Sequence, residues 1–173
     1  MDTPVFIFAA YSNVGKTTYL ERLIPCLKEA GLRVGVVKHD AHDFQLDIQG
    51  KDTWRFAAAG ADTVAIASAS HFALFRQCAP SLEEILAQFT DVDLILVEGF
   101  KQARYPKIAL FRADSGKPLA AEPASCVAVV TDTPVEAPCP CFPLNDPKPL
   151  AEHLLRTLHA PIPEGDDSHV HHS

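Results

Sequence analysis

The sequence has no C-x-x-C pair, no apolar run long enough to span a bilayer and no surplus of positive charge. Each absence excludes something. Five cysteines (Cys26, Cys78, Cys126, Cys139 and Cys141) form an odd, scattered set, which fits a reducing compartment better than a disulfide framework. Cys139-Pro140-Cys141 lacks partners at metal-ligand spacing, so its thiols are expected to be small apolar residues in a proline-rich connection. Without a stretch of ~20 apolar residues, no membrane span is expected. The opening Met1-Asp2-Thr3-Pro4 lacks a basic flank and cleavage site, so a cytoplasmic protein is expected. A net charge of −7 argues against a nucleic-acid binder, whose affinity rests on a positive surface.

What is present suits one globular domain. A 173-residue chain with 47% hydrophobic residues buries about 70% of its unfolded surface and needs no staple. Val5–Ala9 is a continuous apolar run, as in a strand covered on both faces. Leu20, Leu23, Ile24 and Leu27 then follow helical spacing to a stop at Ala30-Gly31, with a bend expected at Pro25. Further strands are predicted at Arg33–Lys38, Asp93–Glu98, Lys107–Arg112 and Cys126–Thr131, and a paired ribbon at Thr63–Ala67 and His71–Arg76. Helices are predicted at Asp52–Ala59, Ser81–Phe89 and Pro149–Leu158. Ala41–Lys51 reads as a loop. Six of the 14 prolines lie between Pro134 and Pro149, marking a semi-rigid connection. The expected architecture is α/β, a three-layer P-loop NTPase fold with a mostly parallel sheet and a small added β-hairpin. Residues 1–159 form its single domain, and 160–173 a tail whose three histidines either bind a metal weakly or do nothing.

Ala10-Tyr11-Ser12-Asn13-Val14-Gly15-Lys16-Thr17-Thr18 lies between a predicted strand and a predicted helix, the context a P-loop needs. Successive backbone N–H groups of Ser12, Asn13, Val14 and Gly15 make an anion nest, and the helix N-terminus adds its positive end. Lys16 is placed to bridge β- and γ-phosphates, Thr17 to coordinate Mg²⁺ and Thr18 to reach the α-phosphate. Such a site also needs an acid at a neighbouring strand end. Glu98 follows Leu94–Val97 and is the candidate catalytic and metal-supporting carboxylate, contacting Mg²⁺ through water. The N–H of Gly99 is placed to meet the γ-phosphate. Asp93, at the other end of that strand, reads as structural.

Three further segments share an order and spacing. Lys38-His39-Asp40-Ala41-His42-Asp43-Phe44, Gly50-Lys51-Asp52-Thr53 and Val97-Glu98-Gly99-Phe100-Lys101, with the P-loop, resemble the molybdopterin-guanine dinucleotide biosynthesis protein B (MobB-like) family. Val129–Asp132 and Leu144-Asn145-Asp146 extend the likeness. The resemblance implies a GTP-binding adapter with weak Mg²⁺-dependent GTPase activity. It implies a MobA-like molybdenum cofactor guanylyltransferase as partner, molybdopterin or its molybdate form as a possible ligand, and a homodimer with an extended sheet.

The remaining candidates follow from position. Asp40 leaves the ligand edge of an α/β sheet and is placed to hold a metal-bound water or orient the attacking one; His39 and His42 are candidate phosphate contacts. Lys101 and Arg104 either bind anions or form a solvated charge pair. Lys16, Lys38 and Lys101 are expected to converge. The chain has no N-K-x-D motif, and Asp132, ending a strand on the same edge, is the candidate for reading guanine. Asn13–Thr17 and Val97-Glu98-Gly99 also resemble dethiobiotin synthetase, an ATP-dependent ligase. Phe100-Lys101 stands where that family continues with glycines. A small-molecule kinase is a third reading, without an arginine-rich lid segment to support it.

Overall fold

Alternation along the apolar runs decides how the sheet is covered. In β1 (Val5–Ala9), Phe6 and Phe8 join one buried cluster while Val5 and Ile7 join another. In β5 (Leu94–Glu98), Leu94 and Leu96 face the first cluster, Ile95 and Val97 the second. A strand with apolar side chains on both faces must lie inside a three-layer arrangement.

The computed structural model describes residues 3–39 and 48–159. Between and after these strands come α1 (Lys16–Glu29), β2 (Val34–Lys38), α2 (Asp52–Ala58), β3 (Thr63–Ala67), β4 (Phe72–Arg76) and α3 (Leu82–Leu86). Beyond β5 follow β6 (Lys107–Phe111), β7 (Cys126–Thr131), β8 (Cys141–Pro143) and α4 (Lys148–His159). Six strands form one sheet in the order β2-β5-β1-β6-β7-β8, and every neighbouring pair is parallel. β3 and β4 make a separate antiparallel ribbon. Leu20, Leu23 and Leu27 of α1 and Leu150 and Leu154 of α4 cover one face. Leu82, Ile85 and Leu86 of α3 cover part of the other. The expected fold class is the observed one. No helix among the described residues is long and apolar enough to cross a membrane.

Local chemistry sets the boundaries. α1 runs unbroken through Pro25 and stops where Gly31 turns left-handed at φ 88°. There the N–H groups of Gly31 and Leu32 donate to Lys28 and Leu27 carbonyls, the double closure of a Schellman stop. α3 begins on a capping box: the Ser81 hydroxyl accepts from the Glu84 N–H, and the Glu84 carboxylate accepts from the Ser81 N–H. It is shorter than the predicted Ser81–Phe89, because Gln88 and Phe89 close tighter turns on the carbonyls of Ile85 and Leu86.

The proline-rich stretch departs from expectation: it contains β8, which adds a sixth strand beside β7. Pro143 is tolerated there because an edge strand pairs on one side only. Cys141 therefore sits in a strand, whereas Cys139 packs against the buried Cys126. The tail, His42 and Asp40 lie outside the described residues.

One ion pair pins the sheet at the end away from the strand C-termini. Arg33, just before β2, donates from its backbone N–H and from its guanidinium to the Asp93 carboxylate at 2.7–3.2 Å. Asp93 is thus structural, as expected. These hydrogen bonds pull its pKa down to about 2. A depressed carboxylate adds stability above its unfolded value near 4, and loses it as pH falls toward 2. Asp93→Asn is expected to be less stable than the parent at pH 7 in urea denaturation, the gap closing between about pH 4 and pH 2. A gap unchanged across that window would contradict this assignment.

Candidate functional site

The C-terminal strand ends of β1, β5, β6 and β7 share one edge of the sheet, where open α/β folds bind ligands. After β1, the loop takes left-handed conformations at Asn13 (φ 68°) and Gly15 (φ 93°). Such alternation turns successive N–H groups toward one side, which is the geometry of an anion nest. Gly15 is also the N-cap of α1. No side chain caps that helix, and its first turn carries no acid. Helices ordinarily recruit Ser, Asp or Glu there; here the positive end is left for an external anion.

Strand parity delivers the acid. Glu98 points to the same sheet face as Leu94 and Leu96, the face that α1 covers. Its carboxylate lies 3.4 Å from Lys16 Nζ and accepts from Thr17 Oγ1 at 3.3 Å. Both charged side chains are only 15% exposed. The structure thus unites three predicted residues, Lys16, Thr17 and Glu98. A hydroxyl and a carboxylate are hard oxygen donors of the kind Mg²⁺ prefers. Among the described residues no group of three or more His, Cys, Asp or Glu could hold a metal ion by itself.

Gly99 follows with φ 108°. A Cβ on it would sit 2.6 Å from His39 Cβ, so only glycine fits this close approach of the β2 and β5 ends. The His39 N–H donates to the Glu98 carbonyl at 2.7 Å, and its ring packs on Phe100 at 4.3 Å. His39 is therefore packed into this junction. Lys38 pairs with Glu98 in register but forms no ion pair with it among the described residues. The parallel register puts its side chain on the same sheet face as Glu98. Lys101 Nζ stands 4.9 Å over the Tyr11 ring, and burial, then Lys16 and Lys117, lower its pKa.

Asp132 ends β7 beside the loop. One oxygen accepts from the Ala113 N–H at 2.9 Å, and the other lies 4.0 Å from Arg112. A cleft of about 380 Å³ opens there, lined by Gly15, Thr18, Tyr19, Arg22, Arg112, Asp132 and Asn145 among others. That is within the ~300–1,000 Å³ of small-ligand sites. Tyr19 is buried and its hydroxyl has no hydrogen-bond partner among the described residues; burial pushes its pKa up. A shallower hollow of about 580 Å³ between α2 and β3 contains none of the predicted site residues.

The sequence reading missed Arg112. Its Nε donates to the Val14 carbonyl at 3.2 Å, bracing the loop against the end of β6. The strand-end rule that found Glu98 and Asp132 finds Arg112 too when applied to β6.

Comparison with known proteins identifies relatives of the whole chain. A family model described as MobB, molybdopterin guanine dinucleotide synthesis protein B, matches residues 5–132. The molybdopterin-guanine dinucleotide biosynthesis adapter protein of Haemophilus influenzae is 39% identical over 160 residues, 90% of each chain. That of Escherichia coli is 38% identical over 165 residues, 90% of this chain and 93% of its own. The crystal structure of Bacillus subtilis MobB superposes with a TM-score of 0.71 at 30% identity, covering 90% of this chain and 97% of that one.

The tight β2–β5 junction is testable. Gly99→Ala is expected to cost about 2–4 kcal/mol and lower the melting temperature by roughly 5–15 °C. Gly116→Ala, also at positive φ but with open space around it, should cost only about 1 kcal/mol. Equal losses in thermal denaturation would contradict the steric account.

Proposed function

The chain belongs to the molybdopterin guanine dinucleotide synthesis protein B family, and from that premise we propose that it binds GTP with Mg²⁺ at its P-loop. Its role is that of an adapter in molybdopterin guanine dinucleotide biosynthesis. The family match decides between the two resemblances of the motifs, in favour of the adapter over the ligase.

The observation that carries the nucleotide reading is Glu98 resting on both Lys16 and Thr17. The carboxylate supplies negative charge to Lys16 beside the uncapped helix end. A triphosphate is a stronger acceptor for both. When it binds, Lys16 is free to turn to the β- and γ-phosphates, while Ser12 to Gly15 present their N–H groups and Thr18 faces the α-phosphate side. Thr17 and Glu98 would hold Mg²⁺, which when bound neutralises part of the triphosphate charge. The Gly99 N–H faces the γ-phosphate end. Asp40, outside the described residues, remains the proposed group for orienting an attacking water. Weak GTPase activity follows from this set.

The cleft beside Gly15 supports the placement of the base. Asp132 keeps lone pairs for guanine N1–H and N2–H₂ despite its bond to Ala113, which holds the carboxylate in one orientation. The proposed macromolecular partners are a MobA-like guanylyltransferase and a second copy of this chain. The β3–β4 ribbon supports a partner: Ile66 and Phe72 are half or more exposed and Leu74 is 44% exposed, and an isolated two-stranded ribbon is marginal in water. Molybdopterin, free or molybdate-bound, is the proposed ligand of the assembled partners.

Calorimetric titration tests this reading. Lys16→Ala is expected to weaken Mg²⁺-GTP binding about 30-fold or more, because it removes a partly buried charge partner, and the parent should prefer GTP to ATP. Unchanged affinity in Lys16→Ala would contradict the phosphate-loop assignment; ATP preference would contradict the role given to Asp132.

A further inference from the structure

A second cluster of cations lies beside the triphosphate loop. Lys101, from the segment after β5, and Lys117, from the segment after β6, both stand over the ring of Tyr11, at 4.9 and 5.5 Å. These distances are within the range at which an ammonium is attracted to an aromatic face. Three separate stretches of chain therefore converge on one spot at the sheet edge. Neither lysine forms an ion pair with a carboxylate among the described residues. Glu98, the nearby acid, is already taken by Lys16 and Thr17.

Like charges gather without counter-charge only where something offsets their repulsion. The ring quadrupole of Tyr11 offsets part of it, about 0.5–1 kcal/mol per exposed contact in general. Lys101 still titrates low, from burial and from the charges of Lys16 and Lys117. The loop amides and Lys16 account for a triphosphate, as the P-loop does elsewhere. Lys101 and Lys117 gather instead on Tyr11, which precedes the Ser12–Lys16 nest. Ammonium groups on a half-exposed ring are held close together by a weak contact that a stronger acceptor readily replaces.

We propose that Tyr11, Lys101 and Lys117 form a second anion site, next to the triphosphate loop, that takes the dianionic phosphate of a phosphomonoester. This goes beyond nucleotide binding: the site would hold the phosphate of a second small molecule beside the nucleotide, whereas the P-loop holds the nucleotide itself. No bond is made or broken. Both ammonium groups exchange the ring face for charge-assisted hydrogen bonds to one phosphate.

The probe is phenyl phosphate, titrated by calorimetry into the full chain without nucleotide, with phenol as the uncharged control. Lys117 is exposed, and its replacement leaves the core untouched. Affinity is expected to fall about ten-fold or more in Lys117→Ala, yet to stay within about two-fold in Lys16→Ala and Lys117→Arg. Phenol should not bind. Loss in Lys16→Ala with retention in Lys117→Ala would show the probe in the P-loop nest and overturn the proposal. Comparable loss in both would show one shared anion site, and equally overturn it, as would absence of binding to the parent. If the parent fails to bind GTP but shows the expected phenyl phosphate pattern, the nucleotide reading falls and this site stands.

Discussion

The Glu98 carboxylate, poised between the Lys16 ammonium and the Thr17 hydroxyl, is the contact on which the rest of this site depends. It exists because of parity and register. Glu98 is two residues beyond Leu96 and four beyond Leu94, so it shares their face, and that face is covered by α1. β1 and β5 pair in parallel with Phe8 opposite Glu98, which sets the acid level with the loop leaving β1. A shift of one residue would turn Glu98 to the other side of the sheet. The two side chains are mostly shielded from water, so their attraction is less screened than in an exposed salt bridge, though each has lost hydration to be there. The same shielding makes either charge costly to leave alone.

The two ends of the sheet are built for different tasks. At one end, Arg33 and Asp93 hold β2 to β5 through three hydrogen bonds. At the other, groups that ordinarily find partners within the protein are left with room for an anion: the N-terminus of α1 has no side-chain cap, and Lys101 and Lys117 rest on Tyr11 with no ion pair among the described residues. Arg112 bridges the two kinds of task. It anchors the Val14 carbonyl and approaches Asp132, joining the phosphate loop to the wall of the cleft.

Much of this was legible in the sequence because it rests on local pattern. Apolar runs marked β1, β5, β6 and β7, Ala30-Gly31 marked the end of α1, and the loop with Gly15-Lys16-Thr17 announced its own chemistry. Glu98 was readable because a buried strand ending in an acid has few other purposes beside such a loop. β8 was not, since Pro140 and Pro143 read as a connection, and only its position at the sheet edge makes a proline-bounded strand possible. Tyr11, Arg112 and Lys117 were missed for a different reason. Their roles come from convergence of segments far apart in sequence, which no local spacing encodes.

Glu98 is proposed to answer the charge of Lys16 until a triphosphate does so, and then to support the metal. GTP affinity measured with and without Mg²⁺, in the parent and in Glu98→Gln, tests it most directly. Without Mg²⁺, Glu98→Gln should bind GTP more tightly than the parent, because a carboxylate that repels the triphosphate has been neutralised. With Mg²⁺, the parent should gain much more affinity than the variant, because the metal has lost its acidic support. The same Mg²⁺ dependence in both proteins would contradict the account.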